Sequence, residues 1–258
     1  MAFKNHYAKF YNLLYSQKDY TSEASFINQL IQKHKQQPAK NLKILDLACG
    51  TGKHAFELEK LGYTVAGSDI STDMVQIAKE TGEIVNSNCE FFNCSFQECN
   101  KITGKYDVVI SMFSAINYLT SYEDLEKTLK NIRGLLKEDG ILIFDYWNGN
   151  AVTRDYSPLK VLRKSNDEGE LMRISKTSLD LFKQIATVEF TCLYFQNDVK
   201  QTEFTEIHPM KYFYFKELES FLKINGFGIC HQSAFMNLDT ELDPYEWNVS
   251  VVAKLLTQ

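Results

Sequence analysis

Apolar and polar positions change rhythm along the chain. Within residues 1–40 they recur at helical spacing, with Phe26, Ile27, Leu30 and Ile31 on one stripe until Pro38 breaks the pattern. From Lys43 onward, short apolar runs alternate with helical patterns. The runs Lys43–Leu47, Thr64–Asp69, Glu90–Cys94, Tyr106–Ser111 and Ile141–Tyr146 predict strands. Between them, Lys53–Leu61 predicts a helix closed by Gly62, and Ser71 caps a helix that turns Met74, Ile77 and Ala78 one way. Thr120-x-x-Glu123 reads as a capping box ahead of Leu125, Leu129, Ile132 and Leu136. Such alternation predicts a parallel sheet with helices on both faces and ligands at the carboxyl ends of its strands.

The period drops to two within residues 151–207. Ala186, Val188, Phe190, Cys192 and Tyr194 share one face, Thr187, Glu189 and Thr191 the other, and Met172 and Ile174 alternate similarly. An antiparallel insertion of three or four strands is expected. A helix at Lys216–Asn225, ended by Gly226, and strands near Ile229–Phe235 and Trp247–Leu255 follow.

At 258 residues, the chain has room for one large α/β domain or one domain with an insertion. The net charge of −5 argues against a nucleic-acid partner, which usually demands a basic face. The six cysteines, Cys49, Cys89, Cys94, Cys99, Cys192 and Cys230, include no C-x-x-C pair. They read as reduced thiols of a cytoplasmic protein rather than a metal site. The stretch MAFKNHYAKF lacks an apolar signal core, and no apolar run reaches the roughly 20 residues that span a bilayer, so no membrane partner is expected.

Candidate chemistry centres on Asp46-Leu47-Ala48-Cys49-Gly50-Thr51-Gly52, between a predicted strand and a predicted helix. Gly50 and Gly52 permit a tight turn against which a ligand can lie. With Ala55 the loop fits G-x-G-x-x-A, and Asp69 ends the next strand where a carboxylate can take both hydroxyls of a ribose. That pattern alone does not separate NAD from S-adenosylmethionine (SAM). Asp46 does: a carboxylate there repels a pyrophosphate but favours the sulfonium and ammonium of SAM.

On these residues KILDLACGTGKHAFELEKLGYTVAGSDIS resembles motif I and the second-strand acidic position of class I SAM-dependent methyltransferases. The resemblance implies a Rossmann-like seven-stranded α/β fold whose last strand is antiparallel, carrying the β insertion before the last helix. It implies a SAM-binding core with an N-terminal helical cap over 1–150, an insertion over 151–207 acting as a lid or a homodimer interface, and completion of the core by 208–258. Asp46, Ala48, Gly50 and Gly52 would line the donor, Asp69 would bind its ribose, and Ile70 and Met74 would flank the adenine. Where many family members place an adenine-binding Asp, this chain has Cys94, so Asn93, Cys94, Ser95 or the ring of Phe96 would hold the base.

A narrower likeness rests on Tyr11-Asn12-Leu13-Leu14-Tyr15-Ser16-Gln17-Lys18-Asp19-Tyr20 and Ser111-Met112-Phe113-Ser114-Ala115-Ile116-Asn117-Tyr118-Leu119, which are similar to dTDP-aminosugar N-methyltransferases. It implies that the segment from Tyr11 folds over the cofactor, with Lys18 meeting the methionine carboxylate and Tyr20 closing the pocket. Met112 would cradle the methionine. Phe113, Tyr146 and Trp147, with the aromatic run Tyr212–Phe215, would face the acceptor. Tyr118 stands where the aminosugar enzymes commonly have a histidine, so it is expected to orient the acceptor rather than act as a base.

The implied reaction is transfer of a methyl group from SAM, leaving S-adenosylhomocysteine, to a small molecule, with an amine such as a nucleotide-linked aminosugar preferred. His6 and His208 are the candidate bases a hydroxyl acceptor would need, and each reads more simply as a surface histidine. O- or N-methylation of another metabolite, an NAD oxidoreductase and a non-catalytic SAM-binding protein are the competing readings. Nucleic-acid methyltransferases are disfavoured: Ser111-Met112-Phe113 replaces the Pro-Pro-aromatic motif of adenine N6 enzymes, and no proline precedes a cysteine.

Overall fold

A computed structural model describes residues 10, 11 and 13–256. Helix α1 (Tyr20–Lys35) buries Phe26, Ile27, Leu30 and Ile31, the stripe expected from the sequence. Five strands then alternate with helices: β1 (Lys43–Leu47), α2 (Lys53–Lys60), β2 (Thr64–Asp69), α3 (Thr72–Val85), β3 (Glu90–Asn93), β4 (Tyr106–Ser111), α4 (Tyr122–Leu135) and β5 (Leu136–Trp147). The short helix α5 (Gly149–Asp155) leads into β6 (Leu159–Asn166), β7 (Gly169–Asp180), β8 (Ile185–Gln196) and β9 (Val199–Lys211). Helix α6 (Phe215–Ile224), β10 (Phe227–Ala234) and β11 (Asn248–Leu255) close the order.

The strands form two sheets. The seven-stranded sheet runs β10-β11-β5-β4-β1-β2-β3, parallel from β5 to β3, with β11 antiparallel to both its neighbours. One apolar layer joins it to α1, α2 and α3; the other joins it to α4 and α6. The strand order reverses beside β1, where β4 and β2 lie on opposite sides. Such a crevice at the carboxyl ends is the ligand position in open α/β sheets. The four-stranded antiparallel sheet runs β6-β7-β8-β9.

Several local expectations shift. Helix α4 is capped one residue later than expected, by Ser121, whose hydroxyl accepts from the Asp124 N–H while its own backbone stays extended. Leu136 leaves the helical stripe and pairs with Tyr106 as the start of β5. Strand β9 runs to Lys211, past the expected limit at 207, because its pairing with β8 continues to Ile185. Tyr212 and Phe213 are buried in the core rather than covering an acceptor.

Glycine is sterically required at two places under the first strands. A Cβ on Gly67 would meet the Cys49 side chain and the Phe91 ring at 2.9 Å, and one on Gly52 would meet Phe91 at 2.8 Å with φ at +76°. Gly67→Ala is expected to cost about 1–3 kcal/mol by overpacking, read as a lowered midpoint of thermal unfolding.

Candidate active site

The loop after β1 builds one wall of a cavity of about 570 Å³. Asp46 lies within the strand's buried run, which ends at Leu47; Ala48 then turns left-handed at φ +62°, and Gly50 follows at +56°. A Cβ on Gly50 would meet nothing within 4 Å, so this glycine serves the turn and leaves the cavity open. The Gly50 N–H donates to Asp69 Oδ2 at 2.9 Å, and the Ser71 N–H donates to Asp69 Oδ1 at 2.8 Å. Thus the end of β2 is tied to the glycine loop, with the Asp69 carboxylate fixed at the cavity edge. Burial raises the Asp69 carboxyl pKa against those two donors.

Asp46 is 1% exposed, and its Oδ2 has no hydrogen-bond partner. Burial, with Asp69 nearby, pushes its carboxyl up to about 8, against the pull of Lys18. A buried carboxylate left this way calls for a proton or a cation. The sulfonium and ammonium of SAM answer that demand, a diphosphate does not, and the open face of Gly50 leaves room beside it. The donor set therefore fits SAM.

A second wall comes from the segment before α1. Tyr11, Tyr15, Lys18 and Tyr20 all line the cavity. Lys18 lies with its ammonium 4.0 Å from the Phe113 ring centroid and 4.5 Å from that of Tyr20. It bonds Glu23 Oε2 at 2.7 Å, and His54 Nε2 reaches the same oxygen at 2.6 Å. Burial lowers the Lys18 pKa, while it pushes the Tyr20 phenol up to about 12. The Lys18–Glu23–His54 cluster joins this segment to α2, the helix that follows the glycine loop.

The turn after β4 is backbone-strained: Phe113 and Ser114 sit consecutively at φ +62° and +54°. Asp145 of β5 holds it, accepting from the Ser114 N–H at 2.9 Å and the Ser114 hydroxyl at 2.8 Å. Burial moves the Asp145 carboxyl up to about 6. Met112 and Phe113 consequently face the cavity, with Phe113 edge-on to Tyr15.

The antiparallel sheet supplies the remaining wall through Arg173, Ser175 and Thr177 of β7, Val188 and Phe190 of β8 and Met210 of β9. The Arg173 guanidinium lies 4.4 Å from the Phe190 ring centroid and donates from Nη1 to the Tyr15 hydroxyl at 3.1 Å. Lys160, Tyr156, Trp147 and Trp247 line the cavity beyond them, with the two indoles edge to face.

Ile70, Met74, Cys94, Ser95, Tyr118 and Trp147 also line the cavity, as do Asp46, Ala48, Gly50 and Asp69. Three expected residues stand apart. Gly52 caps α2 and backs onto Phe91. Asn93 turns its amide to the Asp69 and Ile70 carbonyls, bracing the loop after β2. Tyr146 is buried against Phe213, with Gln232 donating to its hydroxyl, because β5 is apolar on both faces and this position looks into the helix layer.

The alternation of Met172 and Ile174 leaves the inward face of β7 open, and the face that reaches the cavity is Arg173, Ser175 and Thr177. His208 is not at the surface; it is fully buried, with Nδ1 2.8 Å from the Tyr118 hydroxyl. His6 lies outside the described residues. Among the described residues, no three His, Cys, Asp or Glu side chains are grouped to hold a metal ion, and no helix is long and apolar enough to cross a membrane.

Residues 44–140 match the methyltransferase-domain family. A Geobacillus sp. (strain WCH70) protein, whose name assigns it to the methyltransferases without a substrate, is 33% identical over 162 residues, covering 63% of this chain and 64% of its own length. The dTDP-3-amino-3,6-dideoxy-alpha-D-glucopyranose N,N-dimethyltransferase of Streptomyces fradiae is 28% identical over 142 residues, covering 54% of this chain and 52% of its own. The chain thus spans between half and two thirds of the length of these curated relatives. In structure, a SAM-dependent methyltransferase from Clostridium acetobutylicum superposes with a TM-score of 0.81 at 20% identity, over 98% of this chain and 100% of that one. Residues 44–140 thus carry a methyltransferase domain, and the fold over the whole chain is that of SAM-dependent methyltransferases.

Proposed function

We propose that the protein transfers the methyl group of SAM to an amine nitrogen of a small, anionic acceptor, with a nucleotide-linked aminosugar as the leading candidate. In this reading Asp46 faces the cationic donor, Asp69 takes the ribose hydroxyls, Cys94 and Ser95 border the adenine with Ile70 and Met74, and Met112 lies along the methionine. Tyr11, Lys18 and Tyr20 cover the donor from the α1 side.

The acceptor side rests on one observation: Arg173, Lys160, Trp147 and Trp247 all line the same cavity. Two cations suit a carboxylate or diphosphate, and two indoles suit a planar ring. A nucleotide-linked sugar carries both. Transfer from a sulfonium needs no acid for its leaving group, so alignment of nucleophile, methyl carbon and sulfur at about 3–3.5 Å does most of the work. The S. fradiae relative, whose name specifies an aminosugar acceptor, supports the same chemistry.

The test incubates the protein with SAM and either dTDP-3-amino-3,6-dideoxyglucose, its 3-hydroxy counterpart or glycine. One or two added methyl groups on the aminosugar are expected by mass spectrometry, and Arg173→Ala is expected to raise its KM about 10–100-fold with SAM affinity unchanged. Methylation of the hydroxy sugar or glycine in preference to the aminosugar would overturn this acceptor.

A further inference from the structure

Tyr118 and His208 are 90 positions apart in sequence, yet the antiparallel sheet brings them together. Tyr118 ends a short 3-10 turn after β4 and lines the cavity next to the turn of Met112 and Phe113. His208 lies on β9 opposite Val188, with its ring against Phe190. Its Nδ1 is 2.8 Å from the Tyr118 hydroxyl, and its Nε2 is 3.9 Å from Glu206 Oε2. The line from cavity to carboxylate therefore runs Tyr118, His208, Glu206.

We propose that His208 acts through Tyr118 as the proton acceptor for the incoming amine, an inference that rests on the amine reading above. A neutral imidazole with its proton on Nε2 leaves Nδ1 to accept from Tyr118. The phenol's hydrogen is then committed to His208, and its oxygen turns a lone pair towards the acceptor. An ammonium in the cavity donates to that oxygen. As it does so its proton passes to Tyr118 Oη, and the phenolic proton passes to His208 Nδ1. The product of this step is a neutral amine, an unchanged phenol and an imidazolium. The amine lone pair then forms the N–C bond while the C–S pair leaves with sulfur.

Electrostatics around the pair set the resting state from which the proton moves. Burial first, then Arg173, holds the His208 imidazole down to about 4, so it is neutral before the acceptor arrives. Burial raises the Tyr118 phenol well above its ordinary value, so a resident phenolate is disfavoured and a concerted shift keeps charge off the ring. The ammonium is disfavoured as well, because it would enter beside the donor sulfonium and Arg173, both cationic. Among the described residues, the charged or titratable groups facing His208 are Glu206 on its own strand, Arg173 on β7 and Tyr118.

The test uses SAM with the dTDP-aminosugar. His208→Gln keeps an acceptor for the Tyr118 hydroxyl but cannot take its proton. We expect kcat to fall about 10²-fold with the KM for SAM unchanged, and Tyr118→Phe to fall similarly, with the double variant no worse than either single one. We also expect the wild-type plateau above its acidic limb to become, in His208→Gln, a rate that climbs about tenfold per pH unit with hydroxide as acceptor. A structural role alone would lower kcat without changing that profile. Full activity with an unaltered profile in His208→Gln overturns the proposal. Nitrogen NMR of labelled histidine provides a readout independent of turnover. A neutral Nε2–H tautomer whose Nδ1 signal moves in Tyr118→Phe is expected, and an Nδ1–H tautomer overturns the relay. If the wild type methylates no amine at all, the amine reading itself falls, and with it the relay's role.

Discussion

Replacing Asp69 by alanine is expected to weaken binding of SAM and S-adenosylhomocysteine by about 10²–10³-fold, from the loss of two charge-assisted hydrogen bonds to the ribose. The carboxylate is already in place: the Gly50 and Ser71 N–H groups fix its two oxygens at 2.9 and 2.8 Å. Removing it also strands those donors beside the glycine loop, so the loop loses its tie to β2. Asp69→Asn keeps one good acceptor and should lie between wild type and alanine. Titration calorimetry with S-adenosylhomocysteine checks the order, and an alanine variant within about fivefold of wild type would remove Asp69 from the donor site.

Donor affinity should rise with pH and level off near pH 8, because of Asp46. Burial and Asp69 push this carboxyl up to about 8, so without ligand it is largely protonated at neutral pH. A cationic donor favours the carboxylate. Binding near pH 7 must therefore release a proton, measurable as a binding enthalpy that varies with the ionisation enthalpy of the buffer. Asp46→Asn preserves shape but cannot ionise; its affinity should lose the pH slope and fall about 10–100-fold above pH 8. Stability moves the opposite way. The folded value lies above the ordinary 3.8, so the group's contribution to stability is full below that value and is lost as pH rises through about 8. Above that pH, ligand-free Asp46→Asn should melt higher than wild type.

The proposed donor half of the site is legible in the sequence because it is local. Asp46, Gly50 and Asp69 lie within one strand–loop–helix–strand unit, and the spacing of a glycine turn and a strand-end carboxylate fixes their geometry. The proposed acceptor half depends on pairings far apart along the chain. Alternation in β7 separates two faces but does not say which looks inward, so Arg173, Ser175 and Thr177 stay hidden behind the more apolar Met172 and Ile174. Tyr146 leaves its expected place at the acceptor for a related reason: β5 is buried on both faces, so hydrophobicity carries no orientation, and only the bonds to Ser114 reveal that its neighbour Asp145 supports the turn. His208 reads as a surface residue until β9 is laid beside β8, which puts it under Tyr118.

In the proposed reaction the donor meets the seven-stranded sheet, while the acceptor also meets the antiparallel one. The glycine loop and Asp69 hang from strands whose side chains are locked into a double-layered core, where Gly67 and Gly52 tolerate almost nothing. The opposite surface hangs from β7 and β8, where every second residue looks inward and its neighbours look away. Selection can therefore rewrite what is methylated, one alternate position at a time, while leaving the methyl supply intact. A lineage built on this plan diversifies its products without renegotiating its donor.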